Sequence, residues 1–201
     1  MKSIATLFRE ANISLKGNWG MAILLMLISF ILEVLFSELG FIAIFFVSYP
    51  ITFGLNRAFL HLSRNKKSLQ LEDLFSAFNS KDYWRCIISD ILTDIFVFLW
   101  TLLFIIPGII KNLSYSLTPY ILADEPNISI QGATNKSIKM MNGHKARLFC
   151  IRLIFFILGA ISALFMFIPV LWLMPLEEAV MAKFYEDVKS VQKPVEVVAE
   201  A

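Results

Sequence analysis

Long apolar stretches separated by short charged ones set the pattern of this chain. A helix crossing hydrocarbon ~30 Å thick needs about 20 mostly apolar residues at ~1.5 Å each. Trp19 to Phe36 fits, with Glu33 near its far end. Phe41 to Leu60 also fits, with Arg57 one turn from its end, and Ser37-Glu38-Leu39-Gly40 between them reads as a tight hairpin. Ile95 to Ile110 carries no charge but contains Pro107-Gly108, a pair that marks turns. It either continues as one helix or turns there and sends Ile109 to Ala123 back. Leu153 to Met174 is uncharged too. Pro169 either kinks that helix or marks another reversal, returning Val170 to Ala182 with Glu177 and Glu178.

Charge orients these segments, because lysine and arginine in short loops stay on the cytoplasmic side. The blocks Arg64, Lys66, Lys67, Lys81, Arg85 and Lys136, Lys139, Lys145, Arg147, Arg152 then both lie inside. An even number of crossings separates them, which favours the hairpin at Pro107-Gly108. A turn near Pro169 likewise keeps Lys183, Lys189 and Lys193 inside and leaves Lys111 near the outer face. Lys2, Arg9 and Lys16 precede the first segment with no small-x-small site close behind it, the pattern of an uncleaved signal anchor. The expected fold is all-α: a polytopic membrane helix bundle of six transmembrane helices, with five as the alternative. Residues 1–190 form one transmembrane domain, 191–201 a flexible C-terminal tail, and both termini are cytoplasmic.

The two cytoplasmic connections are themselves amphipathic. Leu71, Leu74, Phe75 and Phe78 fall at i, i+3, i+4 and i+7, opposite Glu72, Asp73 and Ser76. In the second elbow Ser129 is a candidate N-cap after Pro126-Asn127. Ile130, Ala133, Ser137, Ile138, Met140 and Met141 gather on one side, and Gly143 stops the helix. Each elbow either lies along the inner leaflet or caps the bundle from below. Crossing, elbow and crossing recur around both, a thin hint of an internal repeat.

Composition sharpens the picture. The 201 residues are 58% hydrophobic and 17% charged with 19 Phe, too apolar for an ordinary soluble or disordered chain. A net charge of +2 gives no reason to expect nucleic acid. Cys86 and Cys150 both fall on the reducing side, so a disulfide is not expected and small buried thiols are. His61 and His144 lack a second ligand at metal spacing, no cofactor motif is present, and no catalytic motif such as GxSxG or HExxH occurs. No metal, cofactor or catalytic residue is expected.

Polar residues at membrane depth carry the remaining chemistry. Asp90 sits near the interface, at a helix N-terminus that favours anions, and Asp94 one turn deeper. Asn112, Ser116, Tyr120 and Asp124 repeat every four residues, with Lys111 and Tyr115 beside them. This candidate seam (Asp94, Asn112, Tyr115, Ser116, Tyr120, Asp124) either glues helices together or lines a hydrated path with Glu177. Gly159 and Ala163, four apart, suggest a close-packing surface. Lys136, Lys139, Lys145 and Arg147 are candidate contacts for anionic inner-leaflet lipid or for a partner, whether another membrane protein or a second copy.

The strings LWTLLFIIPGII (Leu99 to Ile110), LSYSLTPYILADEPNIS (Leu113 to Ser129), NKSIKMMNGHKARLF (Asn135 to Phe149) and KFYED (Lys183 to Asp187) resemble a bacterial membrane family, domain of unknown function 975. With LEDLFSAF, the resemblance covers most of the chain after Pro50. The arrangement is similar, more distantly, to the membrane part of some glycerophosphodiester phosphodiesterases, which is not their catalytic part. The resemblance implies a multi-pass protein of the bacterial inner membrane and no established activity. The expected function is an accessory, envelope or immunity-type factor acting by lipid or protein association. The alternative is a transporter or exporter subunit using the polar seam.

Overall fold

A computed structural model describes residues 1–36, 40, 44–64, 68–78, 81–163 and 168–199. Every regular element among them is helical: α1 (Ile4–Leu15), α2 (Trp19–Phe36), a π-helical turn (Ile44–Ser48), α3 (Tyr49–Ser63), α4 (Leu71–Leu74), α5 (Asp82–Leu103), α6 (Ile105–Tyr115), α7 (Thr118–Asp124), α8 (Ile130–Met140), α9 (Lys145–Ala163) and α10 (Val170–Ala199). The turn at Ser37 to Leu39, Lys66 and Lys67, and residues 164–167 lie outside the described residues, although Gly40 has the positive φ of +61° expected in a turn.

α3 and α10 form the centre. α10 packs on α1, α2, α3 and α9, while α3 also touches α4, α5 and α7. Phe53, Phe59 and Leu60 of α3 meet Val180, Phe184, Tyr185 and Val188 of α10 in one buried cluster. Leu7, Ala11 and Leu15 close the cluster from α1. Their spacing at i, i+4 and i+8 is a helical stripe, and Ser3 caps the helix by accepting the Thr6 amide at 3.2 Å. This N-terminal helix is absent from the span-based reading, because a search for long apolar windows passes over a short amphipathic one.

Among the described residues, two helices are long and apolar enough to cross a membrane, Trp19–Phe36 and Asp82–Leu103. Only 22% and 17% of their apolar windows are buried inside the protein. Of the expected crossing from Phe41 to Leu60, the described residues run from a π-helical turn (Ile44–Ser48) straight on into α3, with Ser48 still in helical conformation (φ −66°, ψ −43°), and α3 is deeply buried.

The chain reverses near the middle, but at Phe104 rather than at Pro107-Gly108. Phe104 is extended (φ −157°, ψ 137°), and α6 begins at Ile105. Pro107 falls in the first turn of α6, where a missing N–H costs nothing. Gly108 is the contact point: a Cβ there would meet the Thr101 side chain and lie 2.9 Å from Thr101 Cα. The presumed helix from Ile109 to Ala123 is likewise two helices. Pro119 cannot donate to the Tyr115 carbonyl, so the chain breaks at Ser116-Leu117 and α7 starts with Pro119 near its N-terminus. Leu153 to Met174 also divides, α9 ending at Ala163 and α10 packing back on it from Val170. α10 stays helical through Ala199, into the stretch read as a tail.

The elbows differ from each other. The first is helical only over Leu71–Leu74, and it buries Leu74 and Ala77 while Leu71, Phe75 and Phe78 face outward. The second matches its pattern: Ala133, Ser137, Met140 and Met141 are buried, and Gly143 ends it at φ +79°. Ser129 Oγ accepts the Gly132 amide at 3.1 Å. Ser129→Ala should therefore lower stability by about 1 kcal/mol in detergent-solubilised thermal melts. Gly159 has nothing within 4 Å of a built Cβ, so it is not pressed against a neighbour. Cys86 is a buried free thiol as expected, whereas Cys150 faces outward.

Candidate functional site

The densest polar chemistry gathers where α3 and α7 end against α10. Asp124 is the last residue of α7, where the helix dipole disfavours an anion, so it needs cations. Arg64, at the C-cap of α3, donates to it from Nη1 at 2.5 Å. Lys189 of α10 pairs with its other oxygen, and the Tyr185 hydroxyl donates to that same oxygen at 2.8 Å. Arg64 also reaches Glu186 at 2.6 Å. Burial pushes the Asp124 carboxyl up, but the hydrogen bonds from Arg64, Lys189 and Tyr185 outweigh it and hold the group well below the usual carboxylate range. Burial, then the neighbouring Asp124 charge, drives the Tyr185 phenol upward, so it remains a donor.

All five residues from Lys183 to Asp187 find partners, Phe184 and Asp187 sharing Arg147. Lys183 Nζ donates to the Ser63 carbonyl, one of the orphan acceptors at the end of α3. Phe184 is fully buried under the Arg147 guanidinium, 5.3 Å above its ring. Tyr185 and Glu186 serve the Asp124–Arg64 pair. Asp187, 5% exposed, accepts from Arg147 Nη1 at 2.7 Å and from the Lys2 amide at 3.1 Å. This works because α10 is buried or half-buried on every side between Pro175 and Lys189, so side chains around its circumference there meet protein.

The acidic turn after α7 is pinned as well. Arg85 donates to the carbonyls of Glu125 (3.3 Å) and Ile128 (2.7 Å) and to Asp82 (2.6 Å). Lys136 reaches Glu125 at 2.5 Å. Of the candidate lipid or partner contacts, Lys136 and Arg147 are thus held internally. Lys139 is exposed and Lys145 half-buried.

The candidate seam does not form one line. Asp94 accepts the Tyr49 hydroxyl at 2.6 Å, from α3. Asn112 accepts from Arg152 at 2.6 Å. Ser116 turns back to the Leu113 carbonyl, Tyr115 is buried, and Tyr120 donates to Glu178 at 3.2 Å. The break at Ser116-Leu117 splits the four-residue repeat, so only Asp124 reaches the cluster. Arg64, Tyr185, Glu186 and Lys189 also belong to it, and no sequence motif marks them as a site. The signal for them was charge distributed all round a helix whose apolar residues also lie all round. Among the described residues no three His, Cys, Asp or Glu converge as a metal site.

Residues 1–114 and 102–192 match the profile of a family described as "Protein of unknown function (DUF975)". Neither a curated protein nor a solved structure gives a match.

Proposed function

The chain belongs to that family, and we propose that it is a multi-pass protein of the bacterial inner membrane acting by association with lipid or protein, as an accessory, envelope or immunity-type factor. One observation carries the reading: a broad apolar surface is turned outward. Leu102, Leu103, Phe104, Ile105 and Ile106, at the tip of the α5–α6 hairpin, are 66–73% exposed, and Phe156 on α9 is 73% exposed. A surface of that kind is untenable in water unless something covers it, and lipid is the cover that its length suits. The ion pairs of Asp82 and Arg85 lie at the opposite end of α5, roughly 30 Å from the tip. In this reading those pairs mark the cytoplasmic interface, six segments cross, and both termini lie inside. The competing reading, a transporter subunit with a polar seam, is less favoured because the seam residues turn to separate partners.

Alkaline carbonate should leave the protein in the membrane pellet. In a Cys86→Ala/Cys150→Ser background, Lys139→Cys should react with an impermeant maleimide only after the cells are opened. Extraction by carbonate, or labelling of Lys139→Cys in intact cells, overturns the proposal.

A further inference from the structure

Five residues beyond Arg147, and therefore roughly 7 Å further along α9, a second arginine points into the apolar surface. Arg152 lines a cavity of about 410 Å³ between α5, α6 and α9, within the ~300–1,000 Å³ typical of ligand pockets. Val97 and Thr101 form one wall, Ile109 another, and Leu153 and Phe156 the third. Arg152 is the charged residue among those lining it. Its Nη1 donates to Asn112 Oδ1 at 2.6 Å, which fixes the fork in place. Its other nitrogens find no hydrogen-bond acceptor among the described residues, yet they are not sealed inside. Glu177 and Glu178 of α10 act on it through space. Neither lines the cavity, and among the described residues no carboxylate comes within ion-pair distance.

An arginine set among outward-facing Phe149, Leu153 and Phe156 needs an anion that arrives with its own apolar body. We propose that the cavity binds an anionic phospholipid. The guanidinium fork holds the phosphate, and one acyl chain runs along Leu153, Phe156 and Val97 toward the hairpin tip. Along α9, Arg152 stands one to two turns from the Arg147–Asp187 pair. A planar fork matches phosphate oxygens two at a time, which a lysine cannot do. This inference rests on the membrane reading above and names its ligand.

The test is native mass spectrometry of the full chain released from nanodiscs containing equal phosphatidylglycerol and phosphatidylcholine, with inorganic phosphate as a separate arm. The wild type should retain phosphatidylglycerol over phosphatidylcholine. Arg152→Gln should weaken that retention about tenfold or more, Arg152→Lys should restore part of it, and Leu153→Trp should block it by filling the cavity with the arginine intact. Equal retention of both lipids, undiminished binding in Arg152→Gln and Leu153→Trp, or displacement by inorganic phosphate alone overturns the proposal. Carbonate extraction of the same variants separates the two readings: a protein that stays in the membrane but shows no lipid preference fails this inference only.

Discussion

Asp124→Ala should cost about 3–5 kcal/mol, because it strands Arg64 and Lys189 without the carboxylate they share. The Asp124 side chain is 9% exposed and that of Arg64 16%, so water cannot readily take over its role. Tyr185 loses its acceptor in the same step. For a chain of this size, the loss corresponds to a fall in Tm of roughly 6–20 °C. Asp124→Asn keeps an acceptor for Tyr185 but not the charge, so it should fall between wild type and Asp124→Ala. Thermal unfolding in a single detergent would measure all three. Equal melting temperatures would mean that the cluster is ornamental.

Acid should reproduce part of that loss. The Asp124 carboxyl is held below its ordinary range in the folded protein. Its contribution is therefore fully present above the unfolded pKa and is lost as pH falls through the folded value. The gap in stability between wild type and Asp124→Asn should be widest near pH 7. It should begin to narrow below about pH 5 and close by about 1 kcal/mol near pH 3. A gap that widens in acid would reverse the assigned charge state.

What the sequence revealed depended on range. The all-helical architecture, the Ser129 cap and the Gly143 stop follow from local rules, and each needs only a few neighbouring residues. The reversal between Leu99 and Ile110 was also legible, but its position was misplaced by three residues. Pro-Gly is tolerated inside the first turn of a helix as readily as in a turn before it, and only the close approach of Thr101 shows why glycine stands at 108. The four-residue repeat from Asn112 to Asp124 failed for a similar reason, since a helical stripe presumes an unbroken helix and Pro119 breaks it. The ion-pair cluster was not legible. Asp124 meets partners 60 to 65 positions away, and KFYED alone does not say which side chain meets Arg64 and which meets Arg147.

Gly54→Ala should be the most damaging single methyl in the chain. A Cβ at position 54 would overlap the Leu74 carbonyl oxygen and come within 2.7 Å of the Asp73 oxygen and 2.9 Å of the Leu74 carbonyl carbon. These are backbone atoms, so no rotamer change relieves the overlap. α4 would have to slide off α3, drawing Leu74 and Ala77, both fully buried, out of the core. Alanine gains about 1 kcal/mol of helix propensity over glycine. That gain sets itself against an overpacking cost at or beyond the top of the usual ~1–3 kcal/mol. The net change should be a loss of about 2 kcal/mol or more, seen as a lower melting temperature and less folded protein recovered. Gly159→Ala supplies the contrast, since the space around a Cβ there is empty and the propensity gain stands alone. If the two alanines shift stability in the same direction, the close seating of α4 on α3 is wrong. Opposite signs would locate the tightest backbone contact at a glycine among the described residues at Gly54, beneath the first elbow.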